Sequence, residues 1–175
     1  QDCARLLGAT ATTMFLVDYE QAVLQPVHGP VGDGREPLRV DATLAGTVFR
    51  KVQTQTSDAD GRRLLVPLLD GVERLGVLEF ALDDTGDVDP RPFETYAHLV
   101  AELLLSKAAY TDAYEWTRRA RPMVLAAEMQ WGLLPPLTFG IPRLTISGLL
   151  APAYEVGGDA FDYAVSDGRG GTASG

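Results

Sequence analysis

The chain has 175 residues, a net charge of −9 and an apolar fraction of 46 %. That composition excludes wholesale disorder, and no apolar run reaches the ~18 residues of a membrane span. The opening at Gln1 shows no basic-then-apolar leader, and a single cysteine, Cys3, forbids an internal disulfide, so the sequence reads as cytoplasmic.

The first hundred residues alternate as an α+β domain does. Residues 12–17 are β-branched and aromatic-rich; residues 22–27 follow after a turn at 18–21, and the two read as a hairpin. A glycine-rich loop spans 28–36. Leu44, Val48 and Phe49 then fall at helical spacing, with Asp41 as the expected N-cap. Residues 53–56 form a short strand. In 62–82, Leu64, Val66 and Leu68 alternate with Leu65, Pro67 and Leu69, the chain turns at Asp70-Gly71, and 75–82 returns as a second apolar strand. Pro67 belongs at an edge or a bulge, where a missing N–H costs nothing. One antiparallel sheet over residues 10–82 is expected, with helix 41–51 on one face and helix 91–110 on the other.

From Arg91 the period becomes 3.6. Phe93, Tyr96, Ala97, Val100, Leu103, Leu104 and Ala108 make one stripe, which Tyr110, Ala113, Tyr114 and Thr117 continue. Pro122 ends or kinks this helix, and a second one spans 123–134. Strands are expected at 144–150 and 161–165 around a Gly157-Gly158 turn. The net acidity repels nucleic-acid phosphates; the one basic cluster, Arg118, Arg119 and Arg121, reads as an exposed helix face paired with Glu115 and Asp112.

Residues 1–109 resemble a GAF domain. The features that match are Leu44-Ala-Gly-Thr-Val-Phe49, then Leu65-Val-Pro-Leu68 and Leu75-Gly-Val-Leu78, followed by a long helix. The resemblance implies a sensory module whose antiparallel sheet is flanked by helices, with a pocket on one sheet face. Covalent bilin attachment needs a well-placed thiol, and Cys3 lies in what should be the first helix. Haem needs an axial ligand, whereas His28 sits in a loop and His98 on the long helix. No cyclic-nucleotide pattern is visible between Asp41 and Gly71. The pocket is either open to an apolar ligand or filled by Phe15, Phe49 and Phe80, and filling is the expectation.

Residues 123–166 resemble the start of a bacterial PPM-type serine/threonine phosphatase, of the sporulation-protein-E and stress-regulator branch. Gln130, Leu133, Leu134 and Pro135 match its first motif; Pro152, Ala153, Val156, Gly157, Gly158, Asp159 and Asp162 match the second. The resemblance implies two Mg²⁺ or Mn²⁺ ions that activate a water for attack on phosphorus. Asp159 is then a metal ligand and the catalytic carboxylate, Gly158 contributes a backbone group, and Asp162 is supporting. The family's later metal aspartates do not follow; Asp167-Gly168-Arg-Gly-Gly171 only looks like the next motif. Gly168-x-Gly170-x-x-Ala173 is a loose dinucleotide fingerprint with no helix after it.

The expected organisation is a GAF sensor at 1–109, a helical linker at 110–132 kinked at Pro122, and at 133–175 the truncated start of a PPM-type α/β sandwich, itself catalytically incomplete. The substrate class implied by the resemblance is a phosphoserine or phosphothreonine regulator of the anti-anti-sigma kind. A homodimer is expected through helices 93–134, because 110–117 should reach beyond any sheet the domain offers. The competing reading is a non-catalytic GAF module that dimerises and docks a partner.

Overall fold

The computed structural model describes residues 2–27, 35–59, 61–83, 87–108, 112–141 and 143–164. His28, Tyr110, the segment from 165 onward and its glycine motifs lie outside the described residues.

The chain opens with helix α1 (Asp2–Arg5), which carries Cys3, and strand β1 (Ala9–Val17). The turn at 18–21 leads to β2 (Val23–Pro26), then β3 (Leu38–Arg39) and helix α2 (Leu44–Lys51). Short β4 (Gln55–Ser57) precedes the long hairpin of β5 (Arg63–Asp70) and β6 (Glu73–Leu82). The six strands form one sheet in the order β3-β2-β1-β6-β5-β4, every pairing antiparallel. The expected sheet is therefore present, with β4 two residues later than its sequence estimate.

Alternation along the strands builds two cores. Leu64, Val66, Leu68, Leu78 and Phe80 point to one face, where α3 (Arg91–Ala108) covers them with Phe93, Ala97 and Ala101. Phe15, Val17, Leu24, Leu65 and Val77 point to the other, under Ala45, Val48 and Phe49 of α2. The buried stripe of α3 is thus Phe93-Ala97-Ala101, whereas Leu103, expected inside, is 63 % exposed. Pro67 pairs with Val77 of β6 beyond the end of β4, so its missing N–H leaves no partner unserved.

Two glycines of the resemblance are there because backbones touch. A Cβ on Gly46 would lie 2.1 Å from the Val40 carbonyl oxygen, and one on Gly76 would lie 1.9 Å from that of Phe15. Only a residue without Cβ lets α2 and β6 seat this closely.

Several expectations are corrected. The N-cap of α2 is Thr43, whose Oγ1 accepts from the Gly46 N–H at 3.0 Å. Asp41 stands two residues too early and instead forks with Arg39 at 2.7 Å. The helix from Arg91 does not run on to Pro122. A separate helix, α4 (Ala113–Arg118), turns back onto β1 and β2, burying Tyr114 in the α3-side core. The described part of the expected overhang, 113–117, therefore finds cover on its own sheet through Tyr114. Residues 119–124 are not helical, so Pro122 is no kink in a helix, and α5 spans Leu125–Trp131. Next comes a hairpin of β7 (Thr138–Ile141) and β8 (Leu144–Ser147), of which the sequence reading had only the second strand. Residues 161–164 form no strand, and Gly157-Gly158 joins no hairpin.

Candidate functional site

The segment 112–164 rests on one end of the sheet, where the β1–β2 and β5–β6 turns lie. Gly140 of β7 packs against Val72 in the second of these turns. The first turn is stiffened by Asp18, whose buried Oδ1 accepts from the N–H groups of Ala22 and Val23 at 2.8 and 2.9 Å. The turn thereby presents Tyr19, 3 % exposed, to a small aromatic cluster. Trp131 lies 4.8 Å from Tyr19 between ring centroids, and Tyr154 meets Tyr19 edge-on at 6.2 Å. Trp131 donates its indole N–H to the Ala153 carbonyl at 2.7 Å, and Tyr154 Oη accepts from the Ala120 N–H at 3.0 Å. Tyr19 donates its hydroxyl to Glu115.

The three arginines are not a free basic face: Arg118 and Arg121 fasten the segment to the sheet, and Arg119 braces the segment internally. Arg118 donates Nε–H to the Val17 carbonyl at 3.1 Å and lies over the rings of Tyr19 and Tyr114. Arg119 pairs with Glu128 at 2.7 Å and lies over Trp116. Arg121 pairs with Glu20 at 2.6 Å and lies over Tyr154. Planar guanidinium groups suit this double role of ion pair and ring cover. Neither Glu115 nor Asp112 pairs with them as expected. Burial pushes the phenols of Tyr154 and Tyr114 upward, so both stay protonated across the neutral range.

Two of the hollows formed by described residues lie in the sheet domain. On the α2 side, a cavity of about 160 Å³ is lined by Leu38, Thr43, Leu65, Arg63 and Glu79. Glu79 is 8 % exposed and held by Arg63 at 2.6 Å and by Arg35. Beyond the end of β4, an open groove of about 570 Å³ runs between β5 and α3, with Thr54 bonded to Glu94 at 2.6 Å and His98 on its rim. The expected filling by three phenylalanines is corrected: Phe15 and Phe49 fill the α2 side, but Phe80 sits across the sheet against Phe93.

Known structures share this fold. The GAF domain of a phosphoenolpyruvate-protein phosphotransferase from Coxiella burnetii is similar, with a TM-score of 0.51 at 16 % identity over 61 % of this chain and 77 % of that one. The corresponding GAF domain from Acinetobacter has a TM-score of 0.50 at 15 % identity, with the same coverage. The sheet domain has the GAF fold. No family model matches the chain, and no curated protein matches it.

Outside the GAF fold, the structure places the glycine–aspartate residues on an exposed loop. Gly158 adopts φ +83°, a conformation natural to glycine, and Asp159 follows it with its carboxylate in solvent. Gln130 donates its side-chain N–H to the Asp159 carbonyl, joining the two motifs that the sequence pairs at a distance of 29 residues. Asp162 Oδ1 accepts from the Tyr163 N–H at 2.8 Å and closes only a local turn. Among the described residues no three acidic, histidine or cysteine side chains converge. Two hard cations need several oxygen donors each, so the described residues by themselves do not make a binuclear centre. The sequence reading missed the junction, whose only signal was the coincidence of Tyr19, Trp131 and Tyr154 with three arginines.

Proposed function

We propose that the chain is a GAF sensor joined to the head of a PPM-type phosphoprotein phosphatase. The observation that carries this reading is the paired motif, Gln130-x-x-Leu133-Leu134-Pro135 with Pro152-Ala153-x-x-Val156-Gly157-Gly158-Asp159-x-x-Asp162. Two features support it. The Gln130 contact to Asp159 gives the paired motif a structural purpose, in that the helix end holds the loop. Leu125, Met129 and Leu133 form an outward stripe, 72, 64 and 85 % exposed, such as the body of a catalytic domain covers.

In this reading Asp159, aided by the Gly158 backbone, supplies part of the site for two Mn²⁺ or Mg²⁺ ions, with Asp162 in support. The remaining carboxylates come from elsewhere in the whole protein. The ions supply an activated water; this chain positions one carboxylate and keeps it exposed. The substrate is a phosphoserine or phosphothreonine regulator of the anti-anti-sigma type, hydrolysed in the cytoplasm under control of the GAF domain. No helix among the described residues is long and apolar enough to cross a membrane. Homodimerisation fits the outer face of α3, where Leu99 and Leu103 are 60 and 63 % exposed one turn apart. That stripe also favours the second reading, a non-catalytic dimerising module.

The experiment is Mn²⁺-dependent hydrolysis of p-nitrophenyl phosphate by the whole protein. Asp159→Asn should abolish turnover while leaving the circular dichroism spectrum intact, and the described part alone should show none. An active Asp159→Asn protein would falsify the reading.

A further inference from the structure

We infer that the β1–β2 turn is the contact through which a change in the α2-side core reaches the Gly157-Gly158-Asp159 loop. The consequence for phosphatase control rests on the function proposed above; the mechanical link does not.

The route is short and packed throughout. Val17 and Leu24 belong to the α2-side core and are register partners at the ends of β1 and β2. The next residue, Asp18, ties both strand ends into one unit through its two backbone hydrogen bonds, reinforced by Asp18 N–H to the Val23 carbonyl at 2.9 Å. A turn tied at both ends is stiffened against independent movement of its two strands. Tyr19 on that turn is buried against Trp131 and Tyr154, and Arg118 spans from the Val17 carbonyl to the Tyr19 ring. From there, Trp131 neighbours Gln130, whose side chain holds the Asp159 carbonyl, and Tyr154 stands four residues before Gly158. The α3-side core reaches this cluster less directly: among the described residues it contributes none of the aromatic group of Tyr19, Tyr154 and Trp131, and it meets that group through Tyr114, whose ring Arg118 covers together with that of Tyr19. The geometry therefore makes the two sheet faces unequal: the α2 side holds Val17 and Leu24, the paired residues that lead into the turn, whereas the α3 side reaches it through Tyr114 and Arg118.

Spatial continuity alone does not establish coupling, so the test perturbs each face separately. Hydrogen exchange in the 175-residue chain reads the Trp131 indole N–H and the Ala120 and Val124 amides, all of which bond to Ala153 or Tyr154. Tyr19→Leu removes the ring contacts at the turn and should speed these reporters about tenfold, with the α3 amides unchanged. Leu24→Val, a small change on the α2 side, should speed them about threefold, and Phe80→Leu on the α3 side should leave them unmoved. Equal responses to Leu24→Val and Phe80→Leu, or none to Tyr19→Leu, overturn the inference. These readouts need no catalysis. If the whole protein lacks Mn²⁺-dependent hydrolysis while the reporters still follow Leu24, the phosphatase reading fails and the link stands.

Discussion

The GAF sheet and the segment 112–164 are held in different ways. The sheet is closed by ladders of backbone hydrogen bonds and by two cores whose members, such as Phe80, Leu24 and Val77, are 0 % exposed. The segment has six- and seven-residue helices and one isolated hairpin, while Leu125, Leu133 and Leu149 stand 72 to 85 % exposed. It is fastened to the sheet through individual side chains, among them Tyr114, Trp131 and Tyr154 and the arginines Arg118 and Arg121. Backbone ladders tolerate the loss of one contact poorly only where a core residue is lost, whereas a side-chain junction can open piecemeal. Stability should accordingly be concentrated in the sheet and adjustability in the segment.

The largest effect expected is from Phe80→Ala. Its ring packs edge-on against Phe93 at 5.0 Å and Tyr96 at 5.9 Å, so truncation should cost about 3–5 kcal/mol and lower the urea midpoint of the whole sheet. Loss of structure confined to α3 would break the idea of a single cooperative sheet. Gly46→Ala comes next. Alanine favours a helix over glycine by roughly 1 kcal/mol, but its Cβ would meet the Val40 carbonyl, and the overlap should win with a net cost of about 1–3 kcal/mol. A stabilised Gly46→Ala protein would mean that α2 can slide away from β3 at little cost.

Trp131→Ala sharpens the contrast from the other side. Limited proteolysis should become several times faster within 120–154, whereas the urea midpoint of the sheet should move by less than about 0.5 kcal/mol equivalent. A large shift in that midpoint would show that the segment is part of the sheet's cooperative unit. The smallest effect concerns Glu73, at the start of β6. Burial raises its carboxyl above the ordinary range, against the attraction of Arg118. A raised folded pKa means that the group contributes stability below its unfolded value and loses that contribution as pH rises through the folded one. Glu73→Gln should therefore be stabilising by up to about 0.5 kcal/mol at pH 7, and the gain should vanish near pH 4. Urea titrations at both pH values check the sign.

The sequence by itself determined the GAF sheet. Alternation in 64–69 and 75–82 specified a hairpin with two buried faces, because neighbouring side chains on a strand must point opposite ways. The 3.6 period from Phe93 specified the covering helix; that Gly46 and Gly76 sit at close backbone approaches emerged only in the folded chain. The glycine–aspartate motif was legible too, but only as a string of letters; its place on an exposed loop was not. Tertiary structure alone decided that Thr43 rather than Asp41 caps α2, that α4 folds back to bury Tyr114, and which partners the arginines take. Tyr19 meets Glu115 across 96 residues, and Arg118 and Arg121 reach Val17 and Glu20 across 101. Contacts of that separation leave no periodic trace in a sequence. They depend on the sheet holding its β1–β2 turn at the end where the later helices sit, and on side chains pairing with what that surface presents.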